Sequence, residues 1–334
     1  MPSVLVFRTK KDATLCVGDG VMERWRLPSG QVGPNQWSTS WIVIENPIME
    51  ELIEYLLIDQ KSQGGGRNEK GKNVLAVQIN FFNCGGIGIG VQMSHRIGDG
   101  TSLVTFMNTW AATCRGVKEI SKPIFDISKL FPPQNLHSFG LKPHNWISKE
   151  KIVTKRFLFK KQNIEKLKEA IVSDLESKVT DPSRVEAVTS FIWRKMIKIH
   201  KTKVGKESTF AISHAVNMRP RMTQIRNINR DHNICEYMIK TLKSMSDTIS
   251  KEEIEYCNFS SWCRFPVYQV DCGWGKPVWV STTTFPLKNI AILMSNRNGD
   301  GIEAWINMAE DDALIFSRNQ MDFSCIAPND TKII

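Results

Sequence analysis

Two runs of alternating apolar and small or polar residues, separated by a glycine-rich break, constrain this chain more than any other feature. Leu75, Val77, Ile79 and Phe81 alternate with Ala76, Gln78 and Asn80, and after Asn83-Cys84-Gly85-Gly86 a second alternation begins. There Ile87, Ile89, Val91, Met93 and His95 fall on one face, with Gly88, Gly90, Gln92 and Ser94 on the other. A period of two is the signature of a half-buried strand, so the segment is predicted to be a β-hairpin. If the second strand persists far enough, His95 points with its apolar set. Beyond Asp99-Gly100 the period becomes helical, with Leu103, Phe106, Met107 and Trp110 at i, i+3, i+4 and i+7, and Asp99, Thr101 or Ser102 available as a cap. His95 is thus placed at a junction between a strand and a helix start.

The remaining pattern divides the chain. Residues 1–45 give little periodic signal, whereas Met49, Leu52, Ile53 and Leu56 are spaced as a helix ended by Gly64-Gly65-Gly66. Pro123, Pro132, Pro133 and Pro143 mark 117–150 as a long crossover, which sets the expected domains at 1–150 and 151–334. The second half is read as a strand over Val153–Phe159, then helices through Ile164 to Leu175 and Val185 to Met196. Next come a strand over Phe210–Met218, extended segments over Phe265–Thr284, a hairpin of Ile290–Met294 with Ile302–Met308, and a helix over Glu310–Arg318.

Composition narrows the function classes. At 334 residues, with 41% apolar and 23% charged residues, the chain can build ordinary cores without disulfide staples. Its longest apolar stretches are strand-length, no signal-peptide pattern opens it and no retention signal closes it, so no membrane association is expected. Eight cysteines without a Cys-x-x-Cys pair suggest neither a zinc ribbon nor a disulfide framework, and a cytoplasmic setting is expected. The net charge of +10 is spread over Lys149–Lys168, Arg194–Lys206 and Arg219–Arg230 with no nucleic-acid module beside it, so nucleic acid is not the expected partner.

Several chemistries fail on spacing. The cluster Gly85-Gly86-Ile87-Gly88-Ile89-Gly90 has Met93 where a dinucleotide turn needs its third glycine, and it continues as a strand. No Gly-x-Ser-x-Gly elbow exists for a serine nucleophile, nothing in the sequence lowers a thiol pKa at Cys263 or Cys272, and no metal site is expected because His95 has no second ligand cluster nearby. His95-Arg96-Ile97-Gly98-Asp99 remains the main candidate, since an imidazole titrates near neutrality and accepts a proton from a hydroxyl. Asp271-Cys272-Gly273-Trp274-Gly275 is the second compact element: two glycines permit a sharp turn, and an indole N–H is a donor.

The pair, His-x-x-x-Asp-Gly after a strand and Asp-x-Gly-Trp-Gly near the end, resembles the plant BAHD acyltransferases. The likeness extends through residues 73–86, Phe106 to Ala112, residues 184–194, Ala215-Val-Asn-Met-Arg-Pro220 and Ser261-Trp-Cys-Arg-Phe-Pro266. Within that family it is most similar to the vinorine synthase-like group of alkaloid O-acetyltransferases. The resemblance implies an α/β fold of two chloramphenicol-acetyltransferase-like domains with mixed sheets and a channel between them. It implies an acyl-CoA co-substrate with no permanently bound cofactor, an alcohol acceptor, and a monomer. His95 matches the family's base, Trp274 is a candidate oxyanion donor, and Asp99 pairs with an arginine of the other domain, by motif Arg219. Asp271, Gly273 and Gly275 take structural roles, and Asn217 and Arg221 fall toward the cofactor side. Cys272 stands where the family usually has Phe. The family carries several tens more residues before the His motif and a longer segment where Met222–Ser250 lies, so an open sheet edge and exposed apolar faces at Leu103, Phe106 and Trp110 are expected. The alternative is an impaired member that only binds CoA or a partner.

Overall fold

The computed structural model describes residues 2–8, 74–81, 86–120, 122–123, 150–174, 178–204, 209–221, 240–241, 243–244, 254–283 and 287–318. The helix expected around Met49–Leu56, the hairpin turn at 82–85, most of the crossover and most of Met222–Ser250 lie outside them.

Among the described residues, strands β1 (Pro2–Arg8), β2 (Leu75–Phe81), β3 (Gly86–Met93) and β7 (Trp279–Thr282) form an antiparallel sheet in the order β2-β3-β1-β7. A five-stranded mixed sheet has the order β4-β9-β8-β6-β5, from β4 (Ile152–Phe159), β5 (Thr209–Ala215), β6 (Ile254–Ser261), β8 (Ile290–Ser295) and β9 (Ile302–Ala309). Here β5, β6 and β8 run parallel, while β9 is antiparallel to both β8 and β4. Among the described residues, helices α1 (Gly100–Cys114), α2 (Lys161–Val172), α3 (Arg184–Val204) and α4 (Glu310–Arg318) accompany the sheets.

The β2–β3 hairpin forms in the register that the alternation dictates, with Leu75 opposite Met93 and Phe81 opposite Ile87. Residues 86–91 are all buried. Glycine in a strand interior marks close approach of other backbone, and Gly88 and Gly90 lie opposite Val6 and Val4 of β1. Helix α3 begins with a reciprocal cap. The Ser183 N–H donates to Glu186 Oε2 at 2.7 Å, and the Glu186 N–H donates to Ser183 Oγ at 3.2 Å.

Three expectations are corrected. Residues 1–45 contain β1, which lies inside the first sheet, flanked by β3 and β7, with Leu5 1% exposed. Seven residues are enough to fill a sheet position but too few to show periodicity above the loop-like composition of the residues after them. With β1 and β7 in place, Leu103 is fully buried, and Phe106 and Trp110 pack against the same core instead of standing exposed. Finally, β3 ends at Met93, so His95 leaves the apolar face and sits in a turn over 95–97. The backbone explains this: the Ser94 N–H still donates to Val74 O at 2.8 Å, but the Ile97 N–H turns back to Ser94 O at 3.1 Å.

Among the described residues, two buried clusters accompany the sheets. The first joins Leu5, Ile87, Ile89, Val91, Leu103 and Met107 to Trp262, Val267, Cys272, Trp279 and Trp305, so residues from both sides of position 150 build it. The second is made from β4, α2, α3, β6, β8, β9 and α4. Arg156 of β4 is almost buried, donates to Glu303 Oε2 at 2.7 Å and lies over the Trp279 and Trp305 rings of the first cluster at 5.6 and 5.8 Å. Burying this cation is tolerable because its charge is paired and its planar face rests on aromatic faces. Strand β7, from beyond residue 150, pairs with β1 in the first sheet.

Candidate active site

The His95 turn is anchored by the start of helix α1. Asp99 has extended backbone and caps α1, accepting at Oδ1 from the Ser102 N–H at 2.9 Å and from Ser102 Oγ at 2.8 Å. Gly98 just before it cannot carry a side chain in place, because a Cβ there would lie 2.7 Å from Met93 Sδ and 2.9 Å from Ser102 Cβ. Gly100 is likewise pressed against Phe265 and Trp262, whose rings cover the first turn of α1. The Asn108 amide donates to Pro266 O at 3.2 Å, so the Ser261–Pro266 segment braces the same helix further along.

Arg219 completes the arrangement from the other half of the chain. Its Nη1 donates to Asp99 Oδ2 at 2.7 Å and its Nη2 to Asp99 Oδ1 at 3.1 Å, a forked pairing that fixes orientation as well as distance. Nη2 also reaches Ser102 Oγ at 3.3 Å. Burial of the Asp99 carboxyl raises its pKa, and this is the largest single influence. The Arg219 and Ser102 hydrogen bonds together with the Arg219 charge outweigh it and hold the group at about 2. Asp99 is therefore a carboxylate at neutral pH, committed to a cap and an ion pair with no capacity left for proton transfer.

Asn217 is exposed, and its Oδ1 accepts from the Arg219 backbone N–H at 3.1 Å and from Arg219 Nη1 at 3.5 Å. It orients the arginine that clamps Asp99. Arg221 closes the short 3-10 turn Arg219–Arg221, and its side chain lies outside the described residues. His95 itself is exposed.

The second motif folds into a compact loop elsewhere. Asp271 Oδ1 accepts from the Gly273 N–H at 2.8 Å and the Gly275 N–H at 3.0 Å, and both glycines have positive φ, 103° and 108°. Only glycine adopts such angles without strain, so the sequence Asp-x-Gly-x-Gly specifies the loop. Cys272 is buried, and Trp274 is half-buried and packs on the first cluster. A Cβ on Gly273 would touch Arg115 Cγ at 3.6 Å, which places the loop at the C-terminal end of α1.

That end closes differently from the first. The Gly116 N–H donates to Thr113 O at 2.9 Å and the Val117 N–H to Ala112 O at 3.1 Å, with Gly116 at φ 73°, a left-handed cap. A helix of 15 residues is about 22 Å long, so the two motifs occupy opposite ends of α1. The structure therefore brings His95, Asp99, Arg219 and Asn217 into one neighbourhood and separates Trp274 from it. Sequence reasoning misses the packing that requires glycine at position 98 and the Trp262–Phe265 cover. Ser102 is legible only as one of three possible caps, and the former two act through contacts that no local pattern displays.

The chain matches the Transferase family model over residues 48–231 and 223–322. It is 38% identical over 309 residues to vinorine synthase of Rauvolfia serpentina, covering 80% of this chain and 70% of that protein. It is 36% identical over 306 residues to stemmadenine O-acetyltransferase of Catharanthus roseus, covering 82% of this chain and 71% of the relative. The crystal structure of vinorine synthase superposes with a TM-score of 0.69 at 28% identity, over 94% of this chain and 87% of that one. F. sporotrichioides TRI101, complexed with coenzyme A and T-2, shares the fold at 19% identity with a TM-score of 0.53, over 74% of this chain and 68% of that one.

Proposed function

We propose that this chain, which belongs to the BAHD transferase family, moves an acetyl group from acetyl-CoA to a hydroxyl of a plant alkaloid or related specialised metabolite, with His95 as the base. The observation that carries the assignment is the placement of His95. Its imidazole is exposed to an approaching substrate, while the turn beneath it is locked by the forked Asp99–Arg219 pair. An exposed imidazole on a fixed backbone is suited to accept a proton from a bound hydroxyl without reorganisation.

In the reaction, the imidazole takes the proton of the acceptor hydroxyl as its oxygen forms a bond to the thioester carbonyl carbon. The tetrahedral adduct collapses, the carbon–sulfur bond breaks, and the leaving CoA sulfur recovers the proton from the imidazolium. Transfer is direct, with no acyl-enzyme. Asp99 and Arg219 hold shape, and Asn217 holds Arg219. Arg221 is the candidate contact for the CoA phosphates. Trp274, at the far end of α1, has a packing role in place of oxyanion donation. Acyl-CoA is a co-substrate in a protein with no resident cofactor, acting as a cytoplasmic monomer.

The test is release of free CoA thiol when the purified protein meets acetyl-CoA and a panel of hydroxylated acceptors. Acceptor-dependent release with formation of the acetyl ester is the expected result. A folded protein that binds CoA yet releases thiol no faster than water alone does would replace this reading by the binding-only alternative.

A further inference from the structure

Outside the candidate site, one pair of reactive groups stands out. Cys114 is the last residue of α1 and is partly exposed, while Cys272 lies buried in the Asp271–Gly275 loop. The residues beside them meet, since a Cβ on Gly273 would lie 3.6 Å from Arg115 Cγ, the two thiols interact, and both side chains belong to the same apolar cluster. The backbone on each side is fixed. The loop is held by the two hydrogen bonds to Asp271 Oδ1, and α1 ends in its left-handed cap at Gly116. Arg115 packs against the loop beside the pair.

We propose that Cys114 and Cys272 are a redox pair that closes to a disulfide on reaction with a small-molecule disulfide such as oxidised glutathione. The more exposed Cys114, as its thiolate, attacks one sulfur of the reagent, forming a mixed disulfide and expelling one glutathione thiolate. Cys272 loses its proton and attacks the Cys114 sulfur, breaking the mixed disulfide and expelling the second glutathione. Two protein thiols are oxidised, one external disulfide is reduced to two thiols, and no other reactant is needed.

Burial, then the neighbouring Cys114 and Asp271, push the Cys272 thiol up to about 12, so the second step is the slow one. Proximity compensates, since a thiol held beside its target by fixed backbone needs no diffusive encounter. The bridge would join the two halves of the chain across a closed loop of roughly 160 residues, and it would tie α1 covalently to the loop at its C-terminal end. Cross-links that close long loops stabilise most when native geometry is undistorted.

The experiment uses the full chain, incubated reduced and folded with oxidised glutathione, then unfolded, alkylated and digested. The expected product is a peptide pair joining Cys114 to Cys272 with a mass about 2 Da below the sum of the reduced peptides, reversed by dithiothreitol. The Cys114→Ser and Cys272→Ala variants should each lack it, and the oxidised wild type should melt about 5 °C or more above its reduced form. Recovery of both residues as alkylated thiols overturns the proposal. So does their capture only as glutathione adducts or in bridges to other cysteines. Because the readout is the linked peptide of the wild type, poor folding of a variant does not obscure the answer.

Discussion

The two ends of helix α1 carry the two most distinctive sequence motifs, and they are built on opposite principles. The N-terminal end is polar and partly open: an exposed His95 turn, a half-exposed carboxylate and a guanidinium brought from far along the chain. The C-terminal end is closed: a buried cysteine, a half-buried indole and a loop whose backbone N–H groups are satisfied by Asp271. The contrast teaches that motif specificity in sequence does not reveal motif role. In Asp-x-Gly-x-Gly the backbone angles demand the glycines, whereas in His-x-x-x-Asp the carboxylate caps the helix that follows an exposed histidine turn.

If this division is right, substitutions at the two ends should break different properties. The largest effect belongs to His95→Ala, expected to lower turnover by about 10²- to 10⁴-fold, the usual contribution of a general base, with an unchanged melting temperature and retained CoA binding. Thiol-release kinetics and thermal unfolding on the same preparation check it, and near-wild-type turnover would remove His95 from the reaction.

Next is Gly273→Ala, which forces a side chain into φ 103°. A loss of about 1–3 kcal/mol in unfolding free energy is expected, with turnover per folded molecule preserved. Denaturant unfolding measures it, and a stable variant with abolished turnover would bring the loop into the chemistry.

Asp99→Ala should cost about 1–2 kcal/mol from the lost cap and ion pair, and here turnover should fall as well because the His95 turn is released. A variant that melts like the parent but is inactive would give Asp99 a chemical role instead.

A smaller effect tests the same clamp by pH. The Asp99 carboxyl is lowered from 3.8 to about 2 in the folded chain, so the unfolded chain binds the proton first as pH falls. The clamp's contribution is therefore full above about pH 4 and disappears as pH approaches 2. Since the Asp99 and Arg219 side chains are 44% and 50% exposed, screening limits the contribution to about 1 kcal/mol. The stability gap between wild type and Asp99→Asn should shrink on acidification across that window, and a constant gap would contradict the assigned pairing energetics.

Much of the fold is legible in the sequence where the residues of an element report their own environment. The alternation of Leu75–Phe81 and Ile87–Met93 gives the antiparallel β2–β3 pair, though not that β3 is buried on both faces, and Glu310–Arg318 is the expected helix. Long-range pairing is where legibility stops. Nothing local shows that β1 lies inside the first sheet, or that Trp279–Thr282 leaves its sequence neighbours to join β1. Strand β6 escapes sequence reading altogether: its apolar residues fall on both faces, Ile254 and Tyr256 on one and Cys257 and Phe259 on the other, and only the second pair is buried. At the candidate site, the Asp99–Arg219 pair is reached through resemblance and not from spacing, since residues 120 positions apart carry no mutual signal. The distance between His95 and Trp274 is illegible for the same reason. Only the length of α1 and the contact of Gly273 with Arg115 separate them.

The division between the two ends of α1 is tested most directly by Trp274→Phe, which removes the indole N–H and keeps an aromatic ring. Initial rates of CoA thiol release, normalised to folded protein, should stay within about twofold of wild type, as expected of a packing residue far from the reacting carbonyl. A loss of about 10²-fold or more with unaltered melting, the size expected for removal of an oxyanion donor, would place chemistry at the closed end of the helix and contradict the account.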